Sequence, residues 1–166
     1  MRPINGKGLA PALATLLLAV IVSACAEPAD EETPYMPLGD VAQLMAGVID
    51  PAADVYWDAV GVIVDAEGEH NMAPQNEEDW LAVRAAAYTV AESGNLLLLP
   101  GYRVDDGAWV SMSQQLIEVG RRAVEAADAR SLDAVFDMGA EVYYVCTNCH
   151  ATYSIGSLRP NDPRTN

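Results

Sequence analysis

The sequence predicts an all-α fold, an antiparallel bundle of four helices, from three observations. Four segments carry apolar or small residues at alternating intervals of three and four, which places those residues on one face of an α-helix. The segments are joined by short stretches rich in Pro, Gly, Asn and Asp, and short connections favour antiparallel neighbours. The chain has a single Phe and little alternation of β-branched residues, which favours helices over sheet.

The first predicted helix starts near Leu38 and continues past Pro51. Two interpretations of Pro51 remain open. Either Asp50 and Pro51 are the N-cap and first residue of a new helix, or one helix bends at Pro51. We favour the bent helix, because Gly47 lies four residues earlier and reduces the clash with the proline ring. Residues 67–76 then form a loop. The predicted apolar face comprises Leu38, Val41, Met45, Val48, Ala52, Val55, Ala59 and Val62.

Three further helices follow. The second covers residues 77–99, the third has Asp105 or Asp106 as its N-cap, and the fourth is capped by Ser131 and ends near Tyr153. The glycines on their apolar faces either let neighbouring backbones approach closely or are ordinary small packing positions. The three faces comprise Trp80, Val83, Ala87, Val90, Gly94 and Leu97; Trp109, Met112, Leu116, Gly120, Ala123 and Ala127; and Leu132, Val135, Gly139, Val142, Cys146, Cys149 and Tyr153.

The fourth helix carries Cys146-Thr147-Asn148-Cys149-His150, a C-x-x-C-H sequence that is the attachment signature of c-type haem. On an α-helix the two cysteines lie one above the other on one face, so both thiols can form thioethers to the vinyl groups of one porphyrin. His150 can then supply an axial imidazole to the iron. We therefore predict one covalently bound haem c, packed into the domain and partly covered by it.

Two other uses of a C-x-x-C pair fit less well. A zinc site needs about four ligands, and beyond the motif only His70 and Cys25 remain as imidazole or thiol donors. A thioredoxin-like redox dithiol would be expected near a βαβ pattern, which the sequence does not show.

Residues 1–24 are predicted to be an export signal. Arg2 and Lys7 provide the positive start, and residues 9–22 form an apolar run too short to favour a membrane-spanning helix. Residues 25–37 are acidic and rich in proline, as expected of an extended tether.

The end of the signal, Val22-Ser23-Ala24-Cys25, resembles the lipobox of bacterial lipoproteins. The resemblance implies that Cys25 becomes the lipid-modified first residue of a periplasmic, membrane-anchored protein, and Ala26 after it implies the outer membrane. The alternative is an ordinary signal peptide with an incidental Cys25. With one cysteine for lipid and two for haem, the three cysteines leave no need for a disulfide.

The chain is strongly acidic, with 24 acidic against 9 basic residues and a pI near 4.2. Such a surface repels phosphate backbones, so nucleic acid is excluded as a partner. The charge favours basic protein partners or serves solubility. No G-x-S-x-G sequence or glycine-rich phosphate loop is present, so we do not expect an enzyme.

Four helices with the motif on the last one, followed by Tyr153, resemble the cytochrome c′ group of class II c-type cytochromes. The resemblance covers residues 38–154 and leaves 155–166 as a tail. It implies that the first helix presents a side chain to the distal face of the haem. Met45 occupies that place, so the resemblance implies that Met45 is the sixth ligand of the haem iron. If Met45 only packs in the core, the iron is five-coordinate. The family is often dimeric. The weaker candidates for the sixth ligand are Met36, His70, Met72, Met112 and Met138.

This chain departs from the family at two places. Ser154 stands where the family often has a basic residue, and the first helix lacks the usual arginine. Arg84, Arg103 and Arg159 are then the candidates to pair with the haem propionates.

The sequence is compatible with three functions. The leading hypothesis is a lipid-tethered electron carrier for redox partner proteins. The second is a five-coordinate protein that binds nitric oxide or carbon monoxide. The third is a structural lipoprotein without haem.

Overall fold

The computed structural model describes residues 35–153, which are mostly helical, with four helices and one two-stranded sheet. The chain divides between Met36 and Pro37, and all of these elements belong to the second unit, Pro37–Asn166. The helical fold class is confirmed, while the sheet is an addition that the sequence pattern did not predict. Within the described residues, no helix is long and apolar enough to cross a membrane.

Helix α1 covers residues 41–57 in three consecutive pieces: an α-helix at Val41–Leu44, a π-helical turn at Met45–Ile49 and an α-helix at Asp50–Trp57. The Asp50 N–H donates to the Met45 carbonyl, five residues back. The wide turn directly precedes Pro51, which lacks an N–H and whose ring would clash with a carbonyl of the preceding turn in a regular α-helix. Since the backbone stays helical through Asp50, the interpretation of one distorted helix is confirmed.

The π-helical turn changes which side chains of α1 are buried. The buried residues are Leu44, Ile49, Ala53 and Tyr56, so the spacing is five across the turn and then four and three. An extra residue in the turn rotates the following side chains by about 100° relative to a regular helix. The predicted face is therefore wrong in part, because its member Val55 is exposed.

The C-terminal half of the first predicted helix is wrong. Helix α1 ends at Trp57, and strands β1 (Gly61–Asp65) and β2 (Gly68–Met72) pair as an antiparallel hairpin. Val62, expected on the helix, lies in β1, and half of the predicted loop at 67–76 is strand β2. The Asp65 carboxylate accepts from the N–H groups of Glu67 and Gly68, which stabilises the turn.

The remaining helices are α2 (Glu77–Leu97), α3 (Ala108–Asp128) and α4 (Leu132–Tyr153). Ser131 caps α4 as predicted, since its Oγ accepts from the Ala134 N–H at 3.2 Å. The predicted N-cap of α3 is wrong by one or two residues, because that position is Gly107. Asp105 still satisfies backbone N–H groups at the start of α3, since its Oδ1 accepts hydrogen bonds from the N–H groups of Gly107 and Trp109.

The four helices pack side by side: α2 against α3, α3 against α4, and α1 against both α2 and α4. Helices α2 and α3 approach each other closely, since a Cβ added to Gly120 would lie 2.6 Å from the Ala91 Cα. A Cβ on Gly94 would lie 2.7 Å from the Ser113 carbonyl oxygen. The glycines at these two positions therefore serve close backbone contact, one of the two roles left open by the sequence.

Candidate functional site

A largely apolar cavity of about 290 Å³ lies between the helices and is lined by residues of all four. Most of the lining comes from α1 and α4, and α2 and α3 supply the remainder. The lining residues are Met45, Ile49, Asp50, Ala53 and Trp57 of α1, Leu97 of α2, Met112, Ser113 and Leu116 of α3, and Tyr143, Val145, Cys146, Thr147, Cys149 and His150 of α4. Exposed residues among them, such as Asp50 and Tyr143, place the opening of the cavity at the protein surface.

Both motif cysteines line this cavity as free, half-buried thiols. Their spacing of three residues on α4 puts both sulfurs on the side of the helix that faces the cavity. Burial raises the pKa of the Cys146 thiol to about 11, with a further contribution from nearby Cys149, and burial also raises the pKa of Cys149. Both groups are therefore neutral thiols at pH 7 rather than thiolates.

This environment differs from that of redox dithiols and zinc sites. Reactive dithiols lie in surroundings that lower the cysteine pKa, whereas these surroundings raise it. A closed zinc site requires a cluster of about four His, Cys or carboxylate side chains. Across residues 35–153, no group of three or more His, Cys, Asp or Glu side chains is arranged to hold a metal ion.

The structure brings four of the five predicted site residues to one cavity: Cys146, Cys149, His150 and Met45. Met45 is the first residue of the π-helical turn and is partly buried. A π-helical turn is a frequent feature of functional sites. The fifth residue, the predicted lipidation site Cys25, lies outside the described residues.

Met112 also lines the cavity, from α3, although the sequence ranked it below Met45. The cavity therefore has two thioether side chains on different helices. Met45 belongs to α1, which together with α4 supplies most of the lining, whereas Met112 lies beside the apolar residues Leu97 and Leu116. No periodic signal separates the two methionines, because both occupy apolar-face positions.

Two aromatic side chains of the cavity were not among the predicted site residues. Trp57 and Tyr143 meet edge to face with ring centroids 6.0 Å apart. The Trp57 Nε1–H donates to the Gly139 carbonyl at 2.9 Å, which fixes the indole against α4. The small Gly139 allows this contact, since an added Cβ would lie 3.3 Å from the Trp57 ring.

A set of contacts next to the cavity joins the end of α4 to the start of α3. The Tyr153 hydroxyl donates to Asp105, and the Tyr153 ring packs edge to face on Trp109 at 4.9 Å. The Trp109 Nε1–H donates to the Leu97 carbonyl at 2.7 Å, and Leu97 lines the cavity. The last turn of α4, which contains His150, is thus attached to the ends of two other helices.

Neither of the two predicted propionate partners that the structure describes, Arg84 and Arg103, lines the cavity. Arg84 pairs with Asp128 of α3 at 2.7 Å, and Arg103 pairs with Asp106 at 2.6 Å. Arg159 lies outside the described residues.

The residues present fit a covalently attached porphyrin. Two thiols three residues apart, an adjacent imidazole and a thioether share an apolar space, and these donors suit haem iron, which needs one or two axial ligands from the protein. The cavity is at the lower end of the size of ligand pockets, and its surface opening lets part of a larger group remain exposed. Comparison with protein-family models, with curated proteins and with solved structures finds no match to this chain.

Proposed function

We propose that this protein is a monohaem c-type cytochrome that carries electrons and catalyses no reaction of its own. The observation that carries the proposal is the convergence of Cys146, Cys149, His150 and Met45 on one apolar cavity between α1 and α4. Residues about 100 positions apart in the chain are brought to the same space, and they are the donors that haem c requires.

The residues of the chain have distinct roles in this proposal. Cys146 and Cys149 would hold the cofactor covalently, and the His150 imidazole would bind its iron. When bound, the haem supplies a one-electron couple between Fe(III) and Fe(II). The apolar lining excludes water around the group and so contributes to its reduction potential.

We assign Met45 as the sixth ligand, because it lies on the helix that lines the cavity together with α4. A methionine thioether stabilises the reduced iron and raises the potential. If Met45 only packs, the apolar lining of the distal side would suit a diatomic gas, and a five-coordinate protein that binds nitric oxide or carbon monoxide is the second candidate function.

The finer description of the fold and the location of the protein belong to the same proposal. The side-by-side packing of α1 to α4 supports an antiparallel four-helix bundle of the cytochrome c′ type. We place the protein in the periplasm, anchored through lipid on Cys25, preferentially at the outer membrane. Basic redox proteins are its proposed partners, and a homodimer is the assembly that the family resemblance implies.

The covalent bond is tested on the exported protein after denaturation. We expect haem stain and the added mass of one haem in the wild-type chain, because thioethers survive unfolding. Cys146→Ser combined with Cys149→Ser should lose both signals, while Cys25→Ser should retain the haem and lose the lipid. A wild-type chain with two free thiols and no added mass would contradict the proposal.

The sixth ligand is tested by optical spectra of the reduced protein with and without carbon monoxide. We expect a low-spin spectrum that carbon monoxide barely changes. Met45→Leu should give a high-spin protein that binds carbon monoxide readily, and Met112→Leu is the matched control that should resemble wild type. A wild-type protein that is already high-spin would support the gas-binding function instead.

A further inference from the structure

A second cavity of about 320 Å³ forms an apolar groove on the outer side of α1 and α4. Trp57 and Val60 line one side, and Phe136, Ala140 and Tyr143 of α4 line the other. Phe136 and Tyr143 are each 62% exposed, although both are large aromatic residues. An exposed aromatic groove of this kind is a common feature of interaction sites.

The groove is adjacent to the thiol-lined cavity. Trp57 and Tyr143 line both spaces, so the same pair of rings separates them. The pair is held in place by its edge-to-face contact and by the hydrogen bond from Trp57 to Gly139. A protein seated in the groove would therefore be one layer of side chains away from the proposed haem.

The groove is bordered by negative charge. Asp137 and Glu141 directly follow the groove residues Phe136 and Ala140 in the sequence, Asp133 lies one helical turn before Asp137, and all three carboxylates are exposed. None of them forms an ion pair with another of the described residues. Among residues 35–153, no Lys or Arg lines the groove.

We propose that this groove is the docking surface for a basic electron-transfer protein that places an apolar or aromatic side chain between α1 and α4. The inference rests on the proposed haem function and specifies where the partner binds. The charge argues for a basic partner, because a cationic rim would pair with the three carboxylates. It argues against a second copy of this chain, because two such grooves would bring like charges together.

The test measures binding of a fluorescein-labelled octapeptide of six lysines and two phenylalanines to the exported, haem-containing protein by fluorescence anisotropy at low ionic strength. We expect saturable binding that the double variant Asp137→Lys/Glu141→Lys weakens at least tenfold. The double variant Glu67→Lys/Glu69→Lys makes the same charge change on the exposed hairpin and should alter binding less than twofold.

Phe136→Ser tests the apolar part of the proposal, since Phe136 lines only the groove and not the thiol-lined cavity. We expect weaker binding of the phenylalanine peptide and no change for a peptide with serine in place of phenylalanine. Circular dichroism of each variant checks that the helices are retained.

Several outcomes would overturn the inference. Equal losses in the groove and hairpin variants would indicate a general charge effect, and no binding to the wild-type protein would also reject it. A wild-type dimer in sedimentation that Phe136→Ser converts to monomer would make a second copy the occupant. If haem is present and the groove variants have no effect on peptide binding, only the proposal of a docking surface is wrong. If haem is absent from the exported chain, both proposals fall.

Discussion

Tyr153 holds the last turn of α4 through a hydrogen bond whose strength depends on pH. The carboxylate of Asp105 accepts from the Tyr153 hydroxyl and from the N–H groups of Gly107 and Trp109, and these hydrogen bonds lower the pKa of Asp105. The same contact with Asp105 raises the pKa of Tyr153 to about 12. The contact is therefore complete only when Asp105 is ionised and Tyr153 is protonated.

The two pKa shifts act at opposite ends of the pH range. Because the pKa of Asp105 is lowered in the folded state, its contribution to stability is present above the ordinary value near 4 and is lost as the pH falls through the lower, folded value. Because the pKa of Tyr153 is raised, its contribution is present below the ordinary value near 10 and is lost as the pH rises through about 12.

We predict that Tyr153→Phe lowers the free energy of unfolding by an amount that is constant between about pH 5 and 9. The difference from wild type should shrink below about pH 4 and above about pH 10. Urea unfolding of both proteins across this range measures it, and Tyr88→Phe, an exposed tyrosine on α2, is the matched control. No difference between the two proteins at any pH would show that Tyr153 contributes only through its ring contact with Trp109, which phenylalanine retains.

Alanine substitutions at one glycine of α1 and one glycine of α3 should change the free energy of unfolding in opposite directions. A Cβ on Gly120 would meet the Ala91 backbone at 2.6 Å, so α2 and α3 would have to move apart. A Cβ on Gly47 would meet no heavy atom within 4 Å apart from its chain neighbours and the nearby backbone of its own helix. We expect Gly120→Ala to destabilise the protein by roughly 1–3 kcal/mol through overpacking.

Gly47→Ala should instead stabilise the protein by about 0.5–1 kcal/mol, because alanine reduces the freedom of the unfolded chain. Both changes are measured by urea unfolding at pH 7. If Gly120→Ala were also stabilising, the close approach of α2 and α3 at this point would be contradicted.

The predicted and observed elements differ where the local pattern was ambiguous. The apolar faces of α2 and α3 were predictable, because each helix is long and keeps a regular interval of three and four. In α1, the turn before Pro51 shifted the buried face to Ile49 and Ala53, and a local distortion of the helix has no periodic signal. The hairpin was missed because Val62 continued the helical interval, although the run Val62-Ile63-Val64 favours a strand.

The candidate site was predictable where its signal is local. The C-x-x-C-H sequence places two thiols and an imidazole together by spacing alone. Trp57 was not predicted as a site residue and Met112 was only a weaker candidate for the sixth ligand, because their position at the cavity depends on how α1 and α3 pack against α4. Met45 was selected through a family resemblance, and the structure places it at the same cavity.

The large negative charge of the chain lowers the stability of its folded state. With 24 acidic and 9 basic residues, the formal net charge is −15 at pH 7. The ion pairs among the described residues, such as Arg84–Asp128 between α2 and α3, engage only part of this negative charge. Repulsion among the remaining carboxylates favours the expanded chain over the folded one.

We therefore predict that added salt stabilises the protein. Raising NaCl from about 0.01 M to 0.5 M shortens the Debye length from roughly 30 Å to less than 8 Å and screens the repulsion between exposed carboxylates. The expected gain is on the order of 1 kcal/mol, which corresponds to a rise in Tm of about 4 °C for a domain of this size. Thermal unfolding followed by circular dichroism measures the shift.

The groove carboxylates link this stability effect to the proposed docking surface. Asp137→Lys/Glu141→Lys reduces the repulsion within the row on α4, so this variant should gain less from salt than wild type does. The hairpin variant Glu67→Lys/Glu69→Lys carries the same net charge, and it should also gain less if the repulsion is spread over the surface. If salt lowers the Tm of the wild-type protein, the surface ion pairs contribute more to stability than the repulsion costs. The proposal of a basic partner would then rest only on the carboxylates beside the groove.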